Sequence, residues 1–462
     1  MKLAPARQAA LRFLAALELD LDGGGAEADW DALQERWLAD PLLADPRDRR
    51  LFRQLTAGVV RLRGRLDARL RRLTGRESLD PVPRDALRLA LYQLEHMDRL
   101  PAHAVIGESV EWVKRRRPRL AAWTNAQLRN WQRGGVPGEE PSAADDWEAH
   151  AEAVHSIPGW LATRWRDEHG DARALAFMAA VGAAPAYCFR WNALREGREA
   201  LLDALTAAGA AIESIDGAPL GFRLRGAWPA ALREALEDGR VSVQDASSQR
   251  IAPLLDATDG AQAPGDYADL CAAPGGKCCH LAERGGDRRE VVALDIDAGR
   301  LGKVLANAER LGLVRLRAEC ADLRVAAPRP LDGVLLDAPC SALGTLALNP
   351  DARWRRRPEE IPRLAALQRE LLVAAAAWVR PGGRLLYAVC TFTPEETVRQ
   401  REGFLAARPD FAPEPFGADE LPAALRSAGG DYLVLPDVED GSGMYAFRCR
   451  RRETPAEGRS AG

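Results

Sequence analysis

Residues 269–277 read Asp-Leu-Cys-Ala-Ala-Pro-Gly-Gly-Lys and follow a short apolar approach that ends at Leu270. The approach predicts a buried parallel strand, the Pro-Gly-Gly segment predicts a tight turn, and residues 277–283 predict a helix. This order places free backbone N–H groups at a helix start, and the glycines let a ligand come close to the main chain. The stretch predicts a turn that binds a nucleotide-like cofactor, although many glycine turns only change the chain direction.

A second predicted strand, over residues 290–295, supports the cofactor interpretation. It is apolar and ends in the carboxylate of Asp295, about 20 residues after the turn, where folds of this type bind ribose hydroxyls. A Walker-type phosphate-binding loop is excluded. Cys271 takes the place of its first glycine, and Cys278 follows Lys277 where a magnesium-binding Ser or Thr should stand.

From Val241 onward, predicted strands and helices alternate. Helices are predicted over residues 298–311 and 361–379, and strands over 316–320, 331–336 and 384–390. The Pro-Gly-Gly segment at 381–383 is expected to end the second helix, and Thr393 is expected to cap a further one. This alternation is typical of a doubly wound α/β sheet, whose ligand crevice lies at the carboxyl ends of the strands.

Carboxylates and thiols follow several of these strands. They are Cys271, Asp295, Asp322, Asp337, Cys340 and Cys390. Because the carboxyl ends of parallel strands meet at one edge of a sheet, these side chains are expected to share one crevice. A single cysteine at a strand end is more often a small buried residue. Two of them, in Asp-Ala-Pro-Cys at 337–340 and Tyr-Ala-Val-Cys-Thr at 387–391, favour a pair of reactive thiols.

The 462 residues are too many for one ordinary core. Residues 1–138 predict an all-α domain, with a triglycine loop at 23–25 and a linker rich in Gly, Pro and acids over 134–147. The remainder predicts a small α+β connecting domain over 148–240, a Rossmann-like α/β domain over 241–452 and a disordered tail over 453–462. Within the connecting domain, Arg190 and Trp191 either contact a strand of nucleic acid or belong to the core.

Composition indicates a soluble globular protein, with 47% hydrophobic and 28% charged residues. No run of about 18 apolar residues occurs, and the N-terminus predicts an amphipathic helix, so we expect a cytoplasmic protein. The eight cysteines lack paired spacing and predict reduced thiols. Cys278, Cys279 and His280 lack a second ligand pair, so we expect no metal site.

Charge is distributed unevenly along the chain. Residues 1–138 carry 25 Lys and Arg against 18 Asp and Glu, whereas the remainder carries 39 against 49. Arginines 61, 63, 65, 69, 71, 72 and 76 crowd one helical region, and residues 114–119 read Lys-Arg-Arg-Arg-Pro-Arg. Such clusters can neutralise several phosphates and favour a basic docking module for nucleic acid. The alternative explanations are a genomic base composition that raises the use of arginine, and cations that stabilise helix C-termini.

Four motifs together identify a family resemblance. They are residues 269–277, Asp-Ala-Pro-Cys-Ser at 337–341, Asn-Pro-Asp at 349–351 and Val-Cys-Thr-Phe-Thr-Pro-Glu-Glu at 389–396. They strongly resemble the Sun family of RNA cytosine-5 methyltransferases, most of all its members that modify small-subunit (16S) ribosomal RNA. Residues 241–249 resemble that family too. Residues 100–104, with Glu108, Glu111 and Asn125, are similar to the NusB-like helical domain of those members.

The resemblance implies the chemistry and the roles of individual residues. A thiolate that adds to cytosine C6 makes C5 able to take the methyl group of S-adenosylmethionine, and later elimination of the thiol restores the ring. By resemblance, Cys390 is this nucleophile, Cys340 assists release, and Asp337 hydrogen-bonds the flipped cytosine. The residues alone would favour Cys340, because a Pro-Cys pair is the nucleophile in related DNA enzymes.

The same resemblance implies a cofactor site along the glycine turn. Cys271, Ala272, Ala273, Pro274, Gly275, Gly276 and Lys277 are expected to hold the methionine end of S-adenosylmethionine. Asp295 is expected to hold its ribose and Asp322 its adenine amine, with Asp337 beside them. Lys277 faces the same crevice and is also a candidate contact to the base.

Some positions depart from the family pattern. Ala347 and Leu348 replace two usual arginines, so Arg353, Arg355, Arg356 and Arg357 are candidate substitutes for an RNA contact. The leading hypothesis is a 16S ribosomal RNA cytosine-5 methyltransferase that acts as a monomer, without metal or membrane. The alternatives are the same chemistry on transfer RNA and a ribosome-assembly factor that binds RNA without catalysis.

Overall fold

The computed structural model describes residues 3–22, 30–98, 100–255 and 265–453. The predicted triglycine loop and residues 454–462 of the predicted tail lie outside these ranges. Internal contacts divide the chain into two compact units. The first comprises residues 1–184 and 346–358, and the second comprises residues 185–345 and 359–462.

The first unit is helical, as the periodicity predicts. Its helices before residue 185 are α1 (Pro5–Asp22), α2 (Trp30–Leu38), α3 (Pro46–Arg61), α4 (Arg63–Thr74), α5 (Pro81–His96), α6 (Ala102–Arg116), α7 (Ala121–Gly134), α8 (Trp147–His150), α9 (Gly159–His169) and α10 (Asp171–Gly182). Asp45 and Asp80 begin α3 and α5 by accepting hydrogen bonds from the N–H groups of Arg47 and Val82. Phe13 and Phe52 meet edge-on in the core, with ring centroids 5.6 Å apart.

A small antiparallel sheet opens the second unit. Its strand order is β2-β3-β1-β4, with β1 at Tyr187–Trp191, β2 at Ala211–Ser214, β3 at Gly221–Arg225 and β4 at Val241–Val243. The helices α11 (Arg198–Ala207) and α12 (Ala230–Glu237) accompany it. Arg190 and Trp191 are buried here. The guanidinium of Arg190 pairs with Glu283 and donates to Gln244 at 2.7 Å. The hypothesis that these two residues contact nucleic acid is therefore wrong.

The large sheet of the second unit has the strand order β10-β12-β9-β8-β5-β6-β7, with β11 paired to β12. The strands are β5 (Tyr267–Asp269), β6 (Val291–Asp295), β7 (Leu316–Cys320), β8 (Leu331–Asp337), β9 (Val379–Val389), β10 (Phe411–Pro413), β11 (Tyr432–Val434) and β12 (Met444–Arg451). Strands β5 to β9 pair in parallel, whereas β12 is antiparallel to β9. The carboxyl ends of β5, β6, β8 and β9 therefore meet at one edge.

Helices α13 to α19 complete the chain. They are α13 (Ala246–Gln249), α14 (Ile251–Leu255), α15 (Gly276–Arg284), α16 (Ala298–Leu311), α17 (Ala352–Arg355), α18 (Glu360–Ala377) and α19 (Val398–Ala407). The predicted bounds of α16 and β7 agree with the structure. The prediction for α18 is wrong at its end, because Val379 pairs with Leu331 at the start of β9 and the Pro-Gly-Gly segment lies within that strand. Within the part of the chain that the structure describes, no helix combines the length and hydropathy needed to cross a bilayer.

Residues 346–358 fold with the helical unit, although both flanks belong to the other one. Arg353 is fully buried, and its guanidinium donates to the carbonyls of Leu346 at 2.8 Å and Val181 at 3.0 Å. Arg355 pairs with Asp351 and Asp20, both at 2.6 Å. Arg353 and Arg355 hold this segment within the unit, so the hypothesis that they substitute for the missing RNA-binding arginines is wrong.

Candidate active site

The glycine turn joins β5 to α15 with a backbone that only glycine adopts easily. Gly275 has a φ of +111°, and a Cβ atom there would lie 3.1 Å from Cα of Val304. The Ala273–Pro274 peptide bond is cis. Helix α15 begins at Gly276, so its first N–H groups lie beside the turn, as predicted.

Side chains from β6 and α16 hold the turn in place. Asp295 accepts a hydrogen bond from the N–H of Ala273 at 3.1 Å through one oxygen and from the N–H of Asp297 at 3.0 Å through the other. Arg300 donates to the carbonyl of Ala273 at 2.9 Å, and Asn307 donates to that of Pro274 at 3.2 Å. The sequence analysis did not identify Arg300 or Asn307. Both lie on the predicted helix over residues 298–311, where a polar side chain indicates only a face turned to solvent.

Asp269 is a buried carboxylate below the turn. It is fully buried, and neither of its oxygens has a hydrogen-bond partner among the described residues. Burial, followed by the charge of Asp337, raises the pKa of Asp269 well above its usual range. Such a group favours a cationic neighbour. The sequence analysis placed Asp269 within a predicted strand that ends at Leu270 and assigned it no role.

Lys277 and Asp337 form an ion pair at the carboxyl ends of β5 and β8. Lys277 Nζ lies 2.6 Å from Asp337 Oδ2, and both side chains are largely shielded from solvent. Burial disfavours the charged amine, but the neighbouring Asp337 carboxylate outweighs this effect and raises the pKa of Lys277. The raised pKa favours a charged Lys277 in the crevice, where the sequence analysis expected this side chain.

Cys340 and Cys390 lie together at the carboxyl ends of β8 and β9. Their Sγ atoms are 3.3 Å apart. The hydrogen bond from Cys340 lowers the pKa of Cys390 against the opposing effect of burial, and the Lys277 ammonium lowers it further. The same hydrogen bond, together with burial, raises the pKa of Cys340 well above its usual range. The two thiols thus differ: Cys390 is the easier one to ionise.

Two further predicted site residues, Cys271 and Asp322, have surroundings of their own. Cys271 is half-buried, and burial followed by the charge of Asp269 raises the pKa of its thiol. Asp322 follows β7, but its carboxylate is engaged by Arg324, with a closest contact of 2.7 Å. The hydrogen bonds to Arg324 lower the pKa of Asp322. Among the described residues, no group of His, Cys, Asp or Glu side chains is arranged to hold a metal ion.

The predicted arginine cluster of residues 61–76 is engaged mainly within the helical unit. Its contacts include Arg61 to the carbonyl of Ala347, Arg63 to Glu18, Arg69 to Glu95, Arg71 to Glu152, Arg72 to the carbonyl of Gly138, and Arg76 over the ring of Trp123. In contrast, Lys114–Arg117 and Arg119 are exposed, and Arg115 and Arg117 stay about half exposed while they pair with Glu111 and Asp80. The structure thus separates two basic runs that look alike in sequence.

Comparisons with known proteins cover nearly the whole chain. Three family models match the chain. The model of the NusB family matches residues 4–133, that of the ferredoxin-like domain of RsmF/B-like methyltransferases matches 157–231, and that of 16S rRNA methyltransferase RsmB/F matches 255–450. These matches confirm the predicted three-part fold class of a NusB-like helical domain, a small α+β domain and a Rossmann-like domain.

Individual relatives agree with these models. "Probable ribosomal RNA small subunit methyltransferase B" of Synechocystis sp. is 35% identical and aligns over 91% of this chain and 94% of its own length. Ribosomal RNA small subunit methyltransferase B of Vibrio vulnificus is 36% identical over 87% of this chain and 90% of its own. The crystal structure of PH0851 has the same fold, with a TM-score of 0.77 at 23% identity over 98% of this chain and 100% of its own.

Because the Synechocystis and Vibrio relatives exceed 30% identity and align over at least 90% of their own length, the resemblance identified from the motifs is confirmed. The chain belongs to the RsmB/F family of 16S rRNA methyltransferases, whose methyl donor is S-adenosylmethionine.

Proposed function

We propose that this protein methylates C5 of a cytosine in 16S ribosomal RNA through a covalent bond between Cys390 and C6 of the base. The observation that carries the proposal is the pair of sulfur atoms 3.3 Å apart at the carboxyl ends of two parallel strands. One of the two thiols has a lowered pKa, beside a lysine and a carboxylate. A binding factor without catalysis has no need for such an arrangement.

The residues of the glycine turn fit S-adenosylmethionine. This cofactor is cationic at its amino group and at its sulfonium centre, and it supplies an electrophilic methyl group. The unpartnered buried carboxylate of Asp269 favours such a cation nearby. Residues 271–277 would hold the methionine end against the first N–H groups of α15, and Asp295 would hold the ribose. Asp322 would reach the adenine amine after exchanging its contact with Arg324.

Cys390 acts first in the proposed reaction. Its thiolate attacks C6 of the cytosine, which shifts electron density to C5 and prepares that carbon to take a methyl group. Asp337 accepts a hydrogen bond from the exocyclic amine of the base, or shares a proton with N3. Lys277, at 2.6 Å from Asp337, keeps that carboxylate oriented and adds positive charge where the ring becomes electron-rich.

Cys340 acts in the last step. After C5 has been methylated, a water molecule takes the C5 proton, the C5–H electrons form the C5=C6 double bond, and the C6–S bond breaks to release the Cys390 thiolate, which restores the aromatic ring. The S–H group of Cys340, within hydrogen-bonding distance of the Cys390 sulfur, stabilises that departing thiolate. Removing Cys340 should therefore trap the covalent adduct, whereas removing Cys390 should prevent its formation.

We divide the chain into a helical domain over residues 1–138, a small α+β domain over 148–240 and a methyltransferase domain over 241–452. We assign RNA docking to the helical domain. The docking surface is the exposed run Lys114–Arg119 rather than the arginines of α4, which are half-buried. Exposed cations bind phosphates in a salt-dependent manner. We further propose that the protein acts as a monomer in the cytoplasm.

Transfer of tritiated methyl groups to 16S ribosomal RNA, followed by bisulfite mapping of 5-methylcytosine, tests the function. Wild-type protein should label one or more cytosines, and Cys390→Ala should label none. Cys188→Ala, a buried thiol of the small sheet, is the matched control and should retain activity. Methylation by Cys390→Ala at the wild-type rate would show that Cys390 is not the nucleophile. Methylation of transfer RNA in preference to 16S ribosomal RNA would reject 16S ribosomal RNA as the substrate.

A further inference from the structure

The carboxylate of Glu396 joins the two chain segments that carry the reactive cysteines. Glu396 is fully buried. Its Oε1 atom accepts hydrogen bonds from the N–H of Ser341 at 2.8 Å and from Gln368 Nε2 at 3.0 Å. Its Oε2 atom accepts from the hydroxyl of Ser341 at 2.5 Å and from that of Thr393 at 2.8 Å. Four donors therefore bind one buried carboxyl group.

These partners are adjacent to the two sulfur atoms along the chain. Ser341 directly follows Cys340, and Thr391 directly follows Cys390. The hydroxyls of Ser341 and Thr391 lie 3.0 Å apart, and the N–H of Gly344 donates to the carbonyl of Cys390 at 3.0 Å. The relative position of the two loops is thus determined by hydrogen bonds that converge on a single buried carboxylate.

A strand and a helix next to Glu396 hold this residue in place. The hydroxyl of Tyr387, on β9, donates to the carbonyl oxygen of Glu396 at 2.8 Å. Gln368, on α18, donates both to Glu396 and to the carbonyl of Pro339, which immediately precedes Cys340. The Thr393 hydroxyl, predicted from sequence to cap a helix, donates to Glu396 instead and makes no cap hydrogen bond.

We propose that Glu396 is a positioning residue that holds the sulfur atoms of Cys340 and Cys390 at their contact distance. The consequence for catalysis rests on the proposed function, because it needs both cysteines to act on the same base. Glu396 makes no contact with the reacting atoms itself. It acts through Ser341, which it binds with both carboxylate oxygens.

Two readouts on Glu396→Gln test the proposal. The amide keeps one acceptor oxygen but presents N–H donors where the second oxygen now accepts, so the hydrogen bonds on one side of the group that joins the loops are lost. A misplacement of about 1 Å can cost about 100-fold in rate, so kcat should fall by that order while KM for S-adenosylmethionine and RNA stays unchanged. Glu395→Gln, the same change at the preceding residue, should retain wild-type kcat, because the carboxylate of Glu395 pairs with Arg399 at 3.8 Å.

The second readout is independent of methylation. Diamide oxidises two thiols to a disulfide and is itself reduced to the hydrazine, so the rate of Cys340–Cys390 disulfide formation reports how often the sulfurs meet. This rate should fall at least tenfold in Glu396→Gln and not in Glu395→Gln. A wild-type disulfide rate in Glu396→Gln would overturn the proposal, whatever the effect on kcat.

The two readouts also separate this proposal from the proposed function. A slow disulfide with an unchanged kcat would support positioning by Glu396 and reject the shared role of the cysteines. If Glu396→Gln melts below the assay temperature, Ser341→Ala replaces it. This variant removes one hydroxyl and keeps the backbone donor, and it should slow both disulfide formation and kcat. Wild-type rates in Ser341→Ala would then overturn the proposal.

Discussion

Replacing Cys340 by alanine tests how the two thiols divide their roles. The Lys277 ammonium favours the anion at Cys390, so we infer that the S–H group of Cys340 donates across the 3.3 Å contact. Hydrogen bonds to charged groups contribute about 1.5–3 kcal/mol, and an S–H group is a weak donor. The lower end of this range, about 1.5 kcal/mol, corresponds to roughly a tenfold change in the thiolate population of Cys390.

The sign of the effect follows from the lowered pKa of Cys390. Because the hydrogen bond stabilises the thiolate, its loss raises the pKa and moves ionisation to higher pH. Alkylation of Cys390 by iodoacetamide, followed by peptide mass spectrometry over a pH series, measures the thiolate directly. At pH values below the thiol pKa, Cys340→Ala should react about tenfold more slowly than wild type. The curves should converge at high pH.

Cys340→Ser is the matched control, because its hydroxyl keeps a donor at the same position. It should alkylate at close to the wild-type rate. Two outcomes would refute the reasoning. One is a Cys340→Ala profile that overlies the wild-type profile, and the other is a Cys340→Ser profile as slow as that of Cys340→Ala.

Further predictions concern the cofactor turn, the adduct and RNA docking. Asp295→Ala removes the acceptor for the N–H of Ala273. It should weaken S-adenosylmethionine binding about tenfold in calorimetry, and unchanged binding would contradict a role for Asp295. Gly275→Ala, at a φ of +111°, should lower the free energy of unfolding by about 1–3 kcal/mol in urea titrations. Cys340→Ala should accumulate a covalent RNA adduct on denaturing gels, and its absence would reject the release role. Replacing Lys114, Arg115 and Arg119 by glutamine should reduce the slope of log affinity against log salt by about 2. The same change at Arg63, Arg69 and Arg71, which are half-buried against Glu18, Glu95 and Glu152, should lower Tm instead. An unchanged salt slope after replacement of Lys114, Arg115 and Arg119 would reject this basic surface as the docking site.

Local sequence patterns were sufficient for much of the second unit. Helix α16 and strand β7 have the bounds that hydrophobic periodicity predicts, because burial of one face is a property of each segment. The alternation of strands and helices also predicted that residues after β5, β6, β8 and β9 meet at one edge. Lys277, Asp337, Cys340 and Cys390 do meet there.

Partners distant along the chain were not predictable in this way. The arginines of α4 look like a nucleic-acid surface in sequence, yet acids from α1, α5 and residues 151–155 pair with several of them. Arg190 is buried only because Glu283, in another part of the unit, supplies its counter-charge. A buried arginine and an exposed one have the same local sequence signature, and the difference depends on residues far apart in the chain.

The sequence by itself determined the alternating fold, the cofactor turn and the residue types that gather at the sheet edge, because these follow from periodicity and from the backbone freedom of glycine. Only the tertiary structure decided which cysteine ionises more easily and which carboxylate holds both loops. The physical reason is that a thiol's pKa and a buried carboxylate's hydrogen bonds depend on neighbours within a few ångströms. The chain brings those neighbours, Lys277 and Ser341, from separate elements.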